Sequence, residues 1–364
     1  MDTFEASPQI SFIMPAFNAS ETIENAAASV LAAKDVTLEL IIVDDGSTDA
    51  TGDLADALAE TDQRVRVVHT QNQGQGLARN CGLNIAHGQW VAFCDADDAV
   101  LADGPRSLLE AATSLEVDIA IGCYQRIDAD GVMEECGMNF GSGILKRHGS
   151  VAEQKLYHRI KTESIFGYLW NKLYRRSFLQ NHHLAFPDIR TVYMEDQLFN
   201  LCVFAQNPKS CLVNKAVYAY NAQGASTTRA AEPQIAEKNA VMLAAYSEYL
   251  QSLGSNAWQE NQDLFVPLAA RVLCWSMFKN IPFEGVHFDA LRRRAKVFLG
   301  TPCFARMLDD KKSSAQLRHL PSAAQRVFYG YSLRVIRVGQ GSLLAFTFVV
   351  FAPLMARYIS AAVK

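Results

Sequence analysis

The sequence has no CxxC pair, no basic stretch followed by an apolar run at its amino terminus, no internal repeat and almost no net charge. Each absence removes a class of protein. The eight cysteines, at 81, 94, 123, 136, 202, 211, 274 and 303, are scattered and several lie in apolar runs. That speaks against a disulfide framework or a zinc cluster and for a reduced cytosolic chain. The opening MDTFEASPQI lacks the features of a secretory signal, so the chain is expected to begin inside the cell. Without low-complexity tracts, 364 residues at 49% hydrophobic and 20% charged make one large folded domain with an appended second unit.

The net charge of −4 conceals an asymmetry. From Leu291 onward there are 13 Lys and Arg against 2 acids, leaving 21 against 36 in residues 1–290.

Short β-branched or aromatic runs bounded by turn residues predict strands at Ile10–Met14, Leu38–Val43, Val65–His69 and Trp90–Cys94. Helical spacing separates them. Ile23, Ala26, Ala27, Val30 and Leu31 share one face after Ser20, the expected N-cap, and a second helix opens at Ser47–Asp49. This alternation is the pattern of a doubly wound parallel sheet, an α/β fold. A helix beyond Pro105 leads to a strand at Val117–Cys123, while the glycine-rich stretch Gly131–Gly149 has no legible pattern. From about Glu232 the chain is mainly helical, with breaks expected at Pro267 and Ile281–Pro282. The boundary is expected near Arg229, giving an α/β domain at 1–229 and a helical, basic region at 230–364.

Each predicted strand ends in a polar, turn-prone cluster: Pro15–Asn18, Asp44–Asp49, Gln71–Gly76 and Asp95–Asp98. Parallel strands bring all four to one edge, where open α/β sheets bind ligands. Ser47 to Asp49 suit a turn and helix cap, but a turn does not need the adjacent carboxylates of Asp44 and Asp45, which can accept hydrogen bonds from a base or sugar. Three acids in four residues, Asp95, Asp97 and Asp98, would repel one another without a cation. They suit a hard divalent ion, Mg2+ or Mn2+, that also takes phosphate oxygens. A dinucleotide fingerprint is excluded, because the glycines at 74, 76 and 82 lack the Gly that Arg79 replaces. Arg79 is placed to hold a diphosphate or a base edge, or else to form a surface salt bridge. Glu195 and Asp196 open a downstream apolar helix, where acids are ordinary.

Taken together, IMPAFN, VDDGSTD, NQGQGLARNCGLNIAHGQWVAF, CDADD and MEDQLF, in this order, resemble glycosyltransferase family 2, inverting enzymes of the GT-A fold. The resemblance spans roughly residues 9–229. It implies that Pro15, Phe17 and Asp45 line the nucleoside pocket, beside the Asp44 carboxylate already read as a donor contact, and that Arg79 approaches the base or diphosphate. Asp95-Ala96-Asp97 would be the metal-binding DxD, with Asp98 sharing the ion. Asp196 matches the family's general base and Glu195 would orient it. Trp170-Asn171-Lys172-Leu173-Tyr174 resembles a segment of polysaccharide-assembling members, and Ser226-Thr227-Thr228-Arg229 a loop that covers donor phosphates. No QxxRW motif follows, which favours transfer of single sugars. The implied partners are a nucleotide-sugar donor, uridine-linked by family habit, and a glycan or lipid-linked acceptor.

Near the carboxyl terminus, the apolar core Leu343–Met355 falls short of the roughly 20 residues that span a bilayer. Upstream, RRRAK at 292–296 and RVFYGYSLRVIRV at 326–338 mix cations with aromatics, a pattern suited to anionic lipid headgroups on the inner face of the cell membrane. A solvated basic bundle face or a dimer interface is the plainer alternative. Nucleic acid is not expected, since no recognisable binding fold accompanies the cations. Two rivals stand against an active transferase. A sugar nucleotidyltransferase would need a glycine-rich phosphate loop after the first strand, which is missing, and an inactive scaffold would not need Asp95, Asp97 and Asp196 together.

Overall fold

The structure is a computed structural model that describes residues 7–128, 130–131, 133–136, 142–146, 167–222, 230–309, 313–320, 323–338 and 341–350. The chain divides into two compact units, one of Met1–Glu153, Gly167–Arg190 and Glu195–Gly224, the other containing Ala225–Lys364.

In the first unit, β1 (Ile10–Ala16), α1 (Ile23–Leu31), β2 (Leu38–Asp44), α2 (Thr51–Thr61), β3 (Val65–His69), α3 (Gln75–Ile85) and β4 (Trp90–Phe93) alternate as expected. They form the parallel order β3-β2-β1-β4. Every residue of β1 and β2 is buried, as befits central strands covered on both faces. Ile10, Phe12, Met14, Leu40 and Ile42 meet α1, α2 and the later α4 (Gly104–Ser114) through Ala26, Val30, Ala55 and Leu108. The opposite face lies under α3, where a Cβ on Gly82 would stand 2.5 Å from Ile13 Cγ2, so only glycine allows this approach of helix and strand.

Beyond β4 the sheet departs from a simple parallel pattern. It adds β5 (Ala99–Val100), β6 (Ile119–Ile127), β7 (Met133–Cys136), β8 (Gly143–Leu145), β9 (Lys172–Arg175) and β10 (Ser210–Asn221), with α5 (Arg176–Asn181) and α6 (Glu195–Ala205) between the last two strands. The strand β9 lies antiparallel between β4 and β6, while β10 runs parallel to β6. Within the illegible Gly131–Gly149 stretch, β7 pairs with β6 and β8 with β10.

The second unit is helical: α7 (Ile235–Ser252), α8 (Ser255–Phe278), α9 (Ile281–Glu284), α10 (Phe288–Leu299), α11 (Pro302–Asp309), a 3-10 segment (Ser313–His319), α12 (Ala323–Arg337) and α13 (Gly341–Val350). The break expected at Pro267 does not occur, because Pro267 lies inside α8. The buried run Leu264–Phe278 outweighs the roughly 3 kcal/mol an interior proline costs. Pro282, in contrast, opens a new helix at α9. Ser20 is not the N-cap of α1 either. That position is Thr22, and the Ser20 N–H is engaged elsewhere. Of the carboxyl-terminal apolar core, residues 351–355 lie outside the described residues, as does the boundary expected at Arg229.

Candidate active site

The clusters after β1 and β2 are laced together. The Asn18 N–H donates to Ser47 Oγ at 3.0 Å and the Thr48 N–H to Asn18 Oδ1 at 2.8 Å. The Ala19 N–H donates to Thr51 Oγ1 at 2.7 Å and the Ser20 N–H to Asp49 Oδ2 at 3.2 Å. Asn18 takes a φ of 49°, which asparagine tolerates better than most residues. Pro15 is buried at the end of β1, whereas Phe17 stands 48% exposed on the loop, an apolar ring presented to solvent where a base or sugar face could stack.

Asp44 and Asp45, adjacent and both buried, serve different partners. Asp44 accepts from the Ser47 N–H at 3.1 Å and pairs with His69 Nδ1 at 2.9 Å. Burial opposes its ionisation, but the bonds from Ser47 and His69 outweigh it and hold the carboxyl below the usual range. His69 is raised in turn by its hydrogen bonds to Asp44 and Asp56. Asp45 instead accepts from the Gly74 N–H at 2.7 Å, the Gln73 N–H at 3.0 Å and Thr70 Oγ1 at 3.1 Å. It thereby fixes the loop into α3, where Gly74 has a φ of 90°. Sequence reading missed His69, whose position at the end of β3 was its only signal.

The three acids after β4 do not converge, and among the described residues no three His, Cys, Asp or Glu side chains group as a ligand set. Asp98 turns into the core. It accepts from Tyr218 Oη at 2.9 Å and from the Asn221 N–H at 2.7 Å, so it ties β10 to this loop. Burial and the nearby Asp95 push its carboxyl up to about 8. Tyr218 also accepts from the Asp95 N–H at 3.0 Å. Asp95 and Asp97 keep access to solvent, on either side of the buried Ala96. Partial burial and the charge of Asp95 raise Asp97. Two hard carboxylates reachable from solvent fit Mg2+ or Mn2+, which commonly take one or two carboxylates together with phosphate oxygens.

Arg79 is not a surface residue. Only 3% exposed, it donates from Nη1 to Glu195 Oε1 at 2.9 Å and from Nη2 to Asp95 Oδ1 at 2.8 Å. Its Cζ lies 5.6 Å from the Phe186 ring centroid. Arg79 forms a pin between the DxD and the acidic pair, with one terminal nitrogen on the buried Glu195 and the other on the partly exposed Asp95. Asn80, next on α3, fastens the segment carrying Phe186 by exchanging bonds of 2.8 and 2.9 Å with its backbone.

Glu195 and Asp196 occupy the first turn of α6, whose unpaired N–H groups favour anions. Glu195 is buried, and this desolvation beside Asp196 pushes its carboxyl up to about 7 despite Arg79. Asp196 keeps some exposure and accepts from the Gln197 N–H at 2.7 Å. Desolvation raises it too, against the pull of Arg79. Trp170 stacks on Tyr218 at 4.6 Å and 11°, and on Tyr168 at 4.6 Å and 15°, so this stretch buttresses the DxD loop from within. The Ser226–Arg229 loop lies outside the described residues.

Comparison with known proteins agrees with this architecture. Residues 11–182 match the family model "Glycosyl transferase family 2". The chain is 30% identical over 249 residues to the uncharacterized glycosyltransferase EpsJ of Bacillus subtilis, covering 66% of this chain and 71% of the relative. It is 31% identical over 226 residues to the succinoglycan biosynthesis protein ExoO of Rhizobium meliloti, covering 61% and 63%. The structure of S. aureus TarS 1–349 in complex with UDP-GlcNAc superposes with a TM-score of 0.64 at 18% identity, over 91% of this chain and 92% of that one. The sheet order, the motif spacing and these likenesses together establish that the chain is a glycosyltransferase of GT-A type and belongs to glycosyltransferase family 2.

Proposed function

We propose that this protein transfers a single sugar, with inversion, from a uridine diphosphate sugar to a hydroxyl of a glycan or lipid-linked acceptor in the assembly of a surface polysaccharide. The observation that carries the reading is the Arg79 pin, which unites Asp95 with Glu195, and so with Asp196, in one cluster. Uridine follows from the UDP-GlcNAc complex of TarS, and polysaccharide assembly from ExoO.

Phe17 stacks on the base from the rim of the pocket, while Asp45 holds the loop that forms the pocket wall. Asp95 and Asp97 would hold Mn2+ or Mg2+, which supplies charge neutralisation of the departing diphosphate. Asp196 takes the proton of the acceptor hydroxyl as that oxygen attacks the anomeric carbon from the face opposite the phosphate. Its raised pKa makes it a stronger base than a solvated aspartate. Glu195, held by Arg79, keeps the first turn of α6 in place. One displacement suffices, so no covalent enzyme intermediate forms.

A thermal-shift panel of nucleoside diphosphates tests the donor assignment. Uridine diphosphate with Mn2+ at 100 times its Kd should add about 2.7 kcal/mol to stability. The shift should vanish with chelator and in Asp97→Ala. No shift with any nucleotide favours an inactive scaffold instead.

The protein works at the cytoplasmic face of the membrane in this reading, and an exposed stripe in the second unit supports it. Val327, 74% exposed, lines up with Tyr331 and Arg334 along α12, with exposed Val338 just past its end, and Phe346, 57% exposed, with Leu343 and Val350 on α13. Tyr331 Oη meets Thr347 Oγ1 at 3.3 Å, joining the two stripes. An excess of 13 cations over 2 acids from Leu291 onward opposes self-association and favours an anionic bilayer. The membrane-length apolar stretch Leu264–Glu284 is 83% buried and packs as core. Val327→Asp with Phe346→Asp should abolish co-sedimentation with phosphatidylglycerol vesicles. Unchanged sedimentation, or a concentration-dependent dimer lost in the same variant, would refute this assignment.

A further inference from the structure

We propose that Lys172 and Asn200 form a buried bracket that positions Asp196, with Lys172 a positioning residue for the transfer reaction. The proposal rests on the reading of Asp196 as the base. Lysine is among the residues least often fully buried, yet Lys172, the first residue of β9, has no exposed surface. Its Nζ donates to Asn171 Oδ1 at 3.0 Å and to the Tyr168 carbonyl. Asn171 Nδ2 in turn donates to the Gly122 carbonyl at 3.0 Å, which anchors the group to β6.

The same Tyr168 carbonyl accepts from Asn200 Nδ2 at 3.2 Å, and the Gly167 carbonyl accepts from it at 2.8 Å. Asn200 Oδ1 accepts from Tyr174 Oη at 2.7 Å. Asn200 is fully buried and sits on α6 four residues after Asp196, hence one turn along the same helix face. The turn at 167–171 and strand β9 thus grip the helix directly behind the acidic pair. Both polar ends of Asn200 are satisfied, so rotating or sliding α6 would leave buried donors and acceptors unpaired.

The bracket also brings a charge. Asp196 feels four charged groups: Glu195 beside it, Arg79 from α3, Asp95 from the loop after β4, and Lys172 from β9. Arg79 contacts Glu195 and Asp95 directly, while Lys172 acts on Asp196 through space. Burial lowers Lys172, to about 7, and Asp196 opposes that shift. A methionine would fill the same volume, so packing alone does not call for an amine here.

The test compares Lys172→Met and Tyr174→Phe with the unaltered full-length protein. Release of UDP from UDP-glucose, UDP-galactose and UDP-N-acetylglucosamine with Mn2+ is followed against pH, together with amide exchange over α6. Lys172→Met should lower kcat by about 10- to 100-fold with donor KM within about twofold, because a displaced base is lost mainly in the transition state. Its acid limb should move to higher pH, since removing a cation makes Asp196 easier to protonate. Tyr174→Phe, which deletes only the hydroxyl on Asn200, should speed exchange in the first turn of α6 and lower kcat about threefold with the acid limb unmoved.

Unchanged kcat, acid limb and exchange in a folded Lys172→Met would overturn the bracket. If that variant does not fold, wild-type exchange and kcat in Tyr174→Phe would do the same. Asp196→Asn separates this proposal from the one it rests on. A fully active Asp196→Asn removes the base, whereas an inactive Asp196→Asn beside a fully active Lys172→Met removes only the bracket.

Discussion

Asp196→Asn should lower kcat for sugar transfer by about 10²–10⁴-fold while donor affinity stays within about twofold. The amide keeps the shape of the side chain and can still accept from the Gln197 N–H, now 2.7 Å from Asp196 Oδ1. What it loses is the capacity to take a proton. In the proposed reading donor binding rests on other side chains, Phe17, Asp95 and Asp97, so calorimetric titration of uridine diphosphate with Mn2+ should be unaffected. Full activity in this variant would remove Asp196 from the chemistry and shift attention to Glu195. Because Asp196 is raised by burial, activity should fall on the acid side as the carboxyl protonates, at a pH above the ordinary aspartate range.

The second large effect concerns the pin. Arg79→Met should destabilise the protein by about 3–5 kcal/mol, because Glu195, 2% exposed, loses its buried partner and must take up a proton or remain an unpaired charge. For a chain of this size that corresponds to a fall in Tm of roughly 4–7 °C. The guanidinium is itself desolvated, a cost that its two carboxylates outweigh, so its pKa is raised rather than lowered. Adding Glu195→Gln to Arg79→Met should recover part of the loss, since the amide needs no counter-ion. A Tm change under about 2 °C in Arg79→Met, measured by calorimetry, would show that the pair contributes little to stability.

The parallel half of the sheet was legible because β1, β2, β3 and β4 are short β-branched or aromatic runs with turn residues at their ends, fully buried in all but the edge strand β3. Convergence of the clusters at one edge followed from the parallel direction alone. The antiparallel β9 was hidden because four residues of mixed aromatic and basic character carry no period. Which acid faces where was equally hidden. Asp97 and Asp98 are neighbours, yet one stays in solvent and the other enters the core under Tyr218. Arg79 read as a ligand contact or a surface cation because its partners lie 16 and 116 residues away, beyond any local pattern. Lys172 read as part of a family motif, and only the packing of β9 against α6 through Asn200 suggests a reason for a buried amine.

The separation between the two halves of the pin also orders the making of the protein. The strands β1 to β4 and helices α1 to α3 are complete by Phe93, before any of the acidic pair exists. A ribosome adding roughly 5–20 residues each second delivers Glu195 some 6–23 s after Arg79, given the 116 residues between them. Throughout that interval the guanidinium has Asp95 at most, and it remains hydrated until α6 arrives. The nascent half-sheet is therefore spared an uncompensated charge in its interior, and the pin closes only after β9 and the first turn of α6 have been made.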